Sequence, residues 1–357
     1  MMPRVILAML VLAVTACDNA PPGQSGFAGL GGEAAGFAKV TPGRELVFPQ
    51  DHGAHPDYRI EWWYVTANLT DQTGKQWGVQ WTLFRQALSP QTAEAAADGW
   101  ASAQVWLGHS AVTHAQGHRH ADRLARGGIG QAGVKVEPFE AWIDDWSLRA
   151  DASGNLDRLA VSAAGEGYRY QLELTSSRPL VQHGEQGFSR KSTGEQASYY
   201  YSQPFFEVSG QVEWQGESYK VQGQAWLDRE WSSQPLAADQ QGWDWFSLHL
   251  DSGAKLMLFR LRGDQQHYQS GSWIDPDGVS RSLPTEAIKF EPLDSIKVAG
   301  RHVPTRWRLA IPSEQFEITT QALNEQAWMG TAIPYWEGPI QFSGSHTGSG
   351  YLEMTGY

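Results

Sequence analysis

The chain is a succession of short apolar and aromatic runs broken by Gly, Asp-Gly and Asn, with almost no helical spacing. EWWYVTANL, the turn DQTGKQ and WGVQWTLFR form a strand, turn, strand pattern. Similar hairpin signals recur in FFEVSGQVEWQGESYKVQGQAWL, WFSLHLDSGAKLMLFRLR, YQSGSWIDPDGVSRS and IQFSGSHTGSGYLEMTGY. The best helical candidate, SPQTAEAAADGWA around residues 89–101, suits a loop with a helical turn or two. The predicted class is all-β.

An internal repeat organises these strands. Residues 62–85 are echoed by residues 243–262, aromatic for aromatic, with Phe84-Arg85 against Phe259-Arg260. The tails agree as well: VQGQAWLDREW lines up with FSGSHTGSGYLEMTGY, setting Trp226 against Tyr351 and Asp228 against Glu353. Two such copies predict two consecutive antiparallel β-barrel domains, residues 43–234 and 235–357, parted at SSQPLA.

Ahead of them stands a different kind of sequence. Residues 1–17 carry one basic residue, Arg4, and an apolar run from Val5 to Ala16, too short for a membrane span but suited to an export signal. Val14-Thr15-Ala16-Cys17 resembles the bacterial lipobox, which predicts lipidation of Cys17 and a protein held to the membrane by that lipid. Asp18 resembles the signal that retains lipoproteins in the inner membrane, so the expected location is its periplasmic side rather than the outer membrane. Residues 18–42, rich in Gly, Ala and Pro, read as a flexible tether.

Composition narrows the partners. Cys17 is the sole cysteine, so no intramolecular disulfide or thiol nucleophile serves the body. A formal net charge of −12 excludes nucleic acid as a partner. The 17 Trp, 12 Tyr and 13 Phe must fill thick barrel cores or line a cavity for a hydrophobic small molecule.

On a strand, Arg59 and Glu61 share one face while Trp62 and Tyr64 share the other. Glu61 reads as a buried partner of Arg59 or Arg85, or as a group that orients a ligand; His55 and His52 fall at a barrel mouth. GHSAVTHAQGHRHAD holds four histidines without a recognised metal spacing, so no metal is expected, and no cofactor. Gly128, Gly130 and Gly133 spell a dinucleotide pattern, but no apolar strand precedes them and no helix follows. Hydrolase motifs such as G-x-S-x-G are absent.

HPDYRIEWWYVTANL, the following LFR, YYYSQP, AWLDREW and YLEMTGY together resemble the AttH and carotenoid 1,2-hydratase family, over roughly residues 52–357. His55, Tyr58, Arg59, Glu61, Trp62, Trp63 and Tyr64 fall in its spacing. The resemblance implies two lipocalin-like domains, a hydrophobic pocket, and members that hydrate or cyclise lipophilic polyenes; some members stand beside ABC-transporter permeases. Carried over by position, it implies catalytic roles for Asp228, Trp226, Tyr199 and Tyr201. The hydratases carry Tyr in place of Trp226, and His and Trp in place of Tyr199 and Tyr201. His55, Glu61, Trp63, His109, Trp243 and Trp245 complete the expected ligand-binding set.

Adding water to an isolated alkene needs a dry acid to protonate carbon and aromatic faces to stabilise the cation. Asp228 near Trp226 and Trp231 suits that acid; the structural alternative is a pairing with Arg229, or with another Arg at the end of a strand, that holds the barrels together. The functional expectation is hydration, cyclisation or isomerisation of an isoprenoid, polyketide or lipid. The alternative is a non-enzymatic carrier serving an inner-membrane ABC transporter.

Overall fold

The computed structural model describes residues 27–357 apart from 33, 91–101, 152–155 and 265. The export signal, Cys17, tether residues 18–26 and most of the helical candidate lie outside the described residues. The rest is two curled, near-barrel antiparallel sheets, one of 13 strands and one of 10, which makes the chain all-β with two consecutive lipocalin-like domains.

The first sheet holds β1 (Ile60–Asp71), β2 (Gln76–Ala87), β3 (Gln104–His114), β4 (Gly117–Arg126), β5 (Ala132–Lys135), β6 (Glu140–Ile143), β7 (Trp146–Ala150), β8 (Arg158–Gly165), β9 (Tyr168–Thr175), β10 (Val181–Gln182), β11 (Phe188–Arg190), β12 (Ala197–Trp214) and β13 (Glu217–Ser232). The second holds β14 (Gln240–Leu250), β15 (Lys255–Gly263), β16 (His267–Ile274), β17 (Ser280–Leu283), β18 (Lys289–Val298), β19 (Arg301–Ile311), β20 (Phe316–Ala322), β21 (Trp328–Met329), β22 (Tyr335–Gly344) and β23 (Gly348–Thr355). Each sheet joins its first strand to its last: β1 pairs with β13, and β14 with β23.

The first hairpin shows how the sequence sets these turns. Asp71 Oδ1 accepts the N–H of Thr73 at 2.8 Å and of Lys75 at 3.1 Å, Asp71 Oδ2 accepts the Trp77 indole at 3.0 Å, and Gly74 takes φ +86°. Only glycine enters that left-handed region without strain.

Burial patterns reveal which strands face a second layer. β9 (YRYQLELT) alternates buried and exposed without a break, one face on the core and one in water. β1, β14, β15, the first half of β12 and the second half of β13 are buried on both faces. Their inner faces fill the two barrel cores, one around Trp63, Trp81 and Trp146, the other around Phe246, Trp307 and Trp336. Their outer faces meet in a third apolar cluster, with Tyr64, Tyr200 and Trp226 from the first barrel and Trp245, Phe259 and Tyr351 from the second. The aromatic excess therefore does two jobs, filling cores and gluing the barrels together.

The expected tether differs from residue 27 onward. Leu30 is buried in the interbarrel cluster, and Arg59 donates to the carbonyls of Leu30 at 2.8 Å and Gly32 at 3.1 Å. Thr41 N–H reaches the Tyr199 hydroxyl at 3.0 Å. Backbone groups and Leu30 tie this segment to the body, where composition alone reads flexibility.

Candidate active site

Between the barrels lies a pocket of roughly 1250 Å3, its open mouth included. The first barrel supplies Trp62, Tyr64, Tyr200 and Asp228; the second supplies Trp243, Trp245, Phe259 and Glu353; Ala28 and Leu30 close one side. The walls are aromatic because these are the outer faces of doubly buried strands.

Asp228 is the chemically distinctive group. Its Oδ1 accepts the Trp226 indole N–H at 2.6 Å and a short bond from the Ser202 hydroxyl; its Oδ2 accepts the Tyr200 hydroxyl at 2.7 Å. Tyr200 in turn accepts the Trp245 indole at 3.1 Å. Behind Ser202, His183 joins Ser202 at 2.6 Å and Ser272 of the second barrel at 2.9 Å. If Ser202 donates to Asp228, His183 Nε2 must carry the proton and Nδ1 must accept from Ser272.

Among the described residues no Arg or Lys pairs with Asp228. Burial pushes its carboxyl up to about 7, against the pull of its three hydrogen bonds, and the charge of Glu230 adds to the rise. Glu353 behaves alike: burial pushes it up to about 7, although the Trp243 indole donates to it at 2.9 Å. Beside it on β22, Glu337 accepts from Tyr64 and is also raised by burial. Lys191, the cation of the pocket, is committed to Glu230 at 2.7 Å.

The opposite face of β13 carries different chemistry. Arg229 points into the first barrel, where it and Arg85 clamp the fully buried Glu61, whose carboxyl is held well below its ordinary range by the two guanidinium charges despite burial. His55 stacks on Trp231 at 4.0 Å and bridges Asp51 at 2.9 Å and Glu61 at 3.2 Å. Trp63 lies under Arg229 at 3.9 Å.

The structure thus divides the sequence-predicted residues. Asp228, Trp243, Trp245 and His109 line the pocket, with His109 meeting the Tyr335 hydroxyl at 3.0 Å, while Trp226 is buried behind it and touches the site only through its bond to Asp228. His109 faces the space between the barrels. His55, Glu61 and Trp63 belong to the ion network inside the first barrel. Tyr199 and Tyr201 face that interior too, bonded to Thr41 at 3.0 Å and to His52 at 2.7 Å, so neither reaches Asp228. The reason is register. Ser202 lies directly opposite Asp228, and residues in direct register share a face, which selects Tyr200 and not its neighbours. The alternative pairing of Asp228 with Arg229 fails for the same reason, since consecutive strand residues face opposite ways.

Sequence reasoning left out Tyr200, Ser202, His183 and Glu353. Only Glu353 had a signal, its alignment with Asp228 in the repeat. Among the described residues no group of three or more His, Cys, Asp or Glu is placed to hold a metal ion; His118 and His120 stack on each other, and His120 accepts the Gly330 N–H at 3.0 Å.

Residues 39–357 match the AttH-like family. The chain belongs to that family. An AttH-type protein from Nitrosomonas europaea is 36% identical to this AttH-like chain, covering 90% of it and 99% of its own length, with a TM-score of 0.80. Kievitone hydratase from Nectria haematococca shares the fold at 15% identity, 90% and 96% coverage and a TM-score of 0.68. CghA, solved with Sch210972, does so at 14% identity, 91% and 97% coverage and a TM-score of 0.54. No curated protein matches the chain.

Proposed function

We propose that this chain takes a hydrophobic, unsaturated small molecule between its barrels and catalyses acid-assisted addition of water, or the cyclisation or isomerisation that the same carbocation permits. One observation carries the reading: a carboxyl without a cationic partner among the described residues, raised by burial to about 7, in an aromatic pocket. Such an acid is still protonated near neutrality and can give its proton to an alkene carbon. Tyr200, Trp243 and Trp245 present the ring faces that stabilise the resulting cation. Tyr200 and Ser202 then hold the Asp228 carboxylate until it is reprotonated. The fold shared with kievitone hydratase, a hydratase by name, is in keeping with this chemistry. We also propose that Cys17 is diacylated and holds the body at the periplasmic side of the inner membrane.

The test begins with the full chain purified gently from its own envelope and analysed by native mass spectrometry with solvent extraction. A stoichiometric lipophilic molecule, converted by the protein with uptake of oxygen from labelled water, is the expected result. A bound molecule recovered unchanged sinks the enzyme reading and leaves a carrier that serves an inner-membrane transporter. Lipidation is checked by the mass of the N-terminal peptide.

A further inference from the structure

The repeat that pairs Asp228 with Glu353 in sequence is reproduced by the strand register. Asp228 lies opposite Tyr64 across the β1–β13 pair, and Glu353 lies opposite Trp245 across the β14–β23 pair. Tyr64 and Trp245 are themselves repeat equivalents. The barrels pack these faces against each other, so one duplicated position enters the same pocket from both sides. Each carboxyl accepts an indole N–H, from Trp226 at 2.6 Å and from Trp243 at 2.9 Å. The supports also cross over: Trp245 of the second barrel donates to Tyr200, which holds Asp228, and Tyr64 of the first donates to Glu337 beside Glu353.

Resting on the proposed hydration, we infer that Glu353 is a second catalytic residue, the base that takes a proton from the attacking water while Asp228 gives its proton to the alkene. In the first step the alkene π pair forms a C–H bond with the Asp228 proton, leaving a carbocation and a carboxylate. A lone pair of water then forms the C–O bond, and the O–H bond breaks as the Glu353 carboxylate takes the proton. The product is an alcohol; one proton has moved from Asp228 to Glu353, and exchange with water resets the pair.

Two carboxyls suit this better than one, because a group that has just protonated the alkene from one barrel is poorly placed to receive water's proton from the other. Glu353 is faced by Tyr64 from β1, Asp228 and Glu230 from β13, Trp243 from β14, and Tyr335 and Glu337 from β22, and His109 from β3 lines the same pocket. Lys191 is spent on Glu230. With no free cation nearby among the described residues, the charge of Asp228 disfavours ionisation of Glu353, so the two share protons near neutrality.

The experiment uses the full chain, infrared difference titration of its buried carboxyls, and geranylgeraniol in deuterated water as probe. In Asp228→Asn the Glu353 band should titrate about one pH unit lower than in wild type, because its charged neighbour is gone. Glu353→Gln should still wash deuterium into the alkene methyls, through reversible protonation by Asp228, while alcohol formation falls about 100-fold. Asp228→Asn should do neither, and Glu353→Asp should recover part of the alcohol yield. A Glu353 band unmoved by Asp228→Asn overturns the inference, as does Glu353→Gln that hydrates at the wild-type rate or loses exchange and hydration together. A wild type inert toward the probe counts against isoprenoid hydration itself, and the titration still decides whether the two carboxyls act as a pair.

Discussion

Asp228 and Arg229 are neighbours in sequence and belong to two different worlds. Arg229 enters the first barrel, where two guanidinium groups share Glu61 and the charges cancel. Asp228 enters the pocket, where it accepts three hydrogen bonds and, among the described residues, pairs with no cation. Glu61 and Asp228 are both buried; the difference is compensation. A carboxylate between two arginines stays ionised despite its burial, whereas burial without a counter-charge raises Asp228 to about 7, even against the three donors that pull it down. The first arrangement is a structural rivet and the second is a source of acid, and a single peptide bond separates them.

The contrast is broken most directly by neutralising one carboxyl of each kind. Glu61→Gln leaves Arg85 and Arg229 buried without a counter-charge, so it should cost about 3–5 kcal/mol in urea unfolding. Asp228→Asn should stay within about 1 kcal/mol of wild type yet lose at least about 100-fold in turnover. Equal destabilisation by the two would show that both carboxyls are structural. Next in size, Tyr200→Phe removes a donor to Asp228 and should lower turnover about tenfold, while Tyr199→Phe and Tyr201→Phe leave turnover unchanged; the reverse pattern would restore the assignment carried over by family position.

The pH dependence of stability sharpens the contrast further. Asp228 and Glu353 have folded values raised to about 7 from the ordinary 3.8 and 4.5. Their stabilising contribution is therefore complete below about pH 4 and is lost as pH rises toward about 7. Glu61 has the opposite sign: its contribution is present above its ordinary 4.5 and is lost as pH falls below it. Buried His52, His109, His183 and His249 and half-buried His118, whose values are lowered by desolvation, add stability as pH rises over the same range. The carboxyls are therefore read from the difference: the melting temperature of the Asp228→Asn, Glu353→Gln double variant should rise relative to wild type between about pH 5 and pH 7. A difference that stays flat over that interval contradicts the raised values. The smallest effect is Trp226→Phe, which deletes one donor: about 1 kcal/mol of stability, and an Asp228 titration moved further upward.

The strands and the two-barrel class were legible because alternation, turn residues and repeats are local signals. Asp228 itself was found through family position, and its aromatic company through composition. Its partners were hidden because strand residues sort by parity, and parity relative to a neighbouring strand is fixed only by register. YYYSQP offers three consecutive tyrosines, and nothing within the run tells which of them shares a face with Asp228. A register shift between Gln203 and Phe206 changes the phase again further along the same strand. His183 reaches Ser202 from a segment distant in sequence, beyond the range of any local pattern.

The pairing of first strand with last in each barrel has a consequence for descent. It returns the chain to its starting edge, so a whole barrel can be copied and joined in series without disturbing its neighbours. Copying also sets every position of the shared wall free to diverge from its twin. Asp228 and Glu353 are such twins, now unlike in side-chain length and in the strand from which each is braced. The site is thus a product of kinship between two halves, and half the gene would encode a fold with one wall of a room.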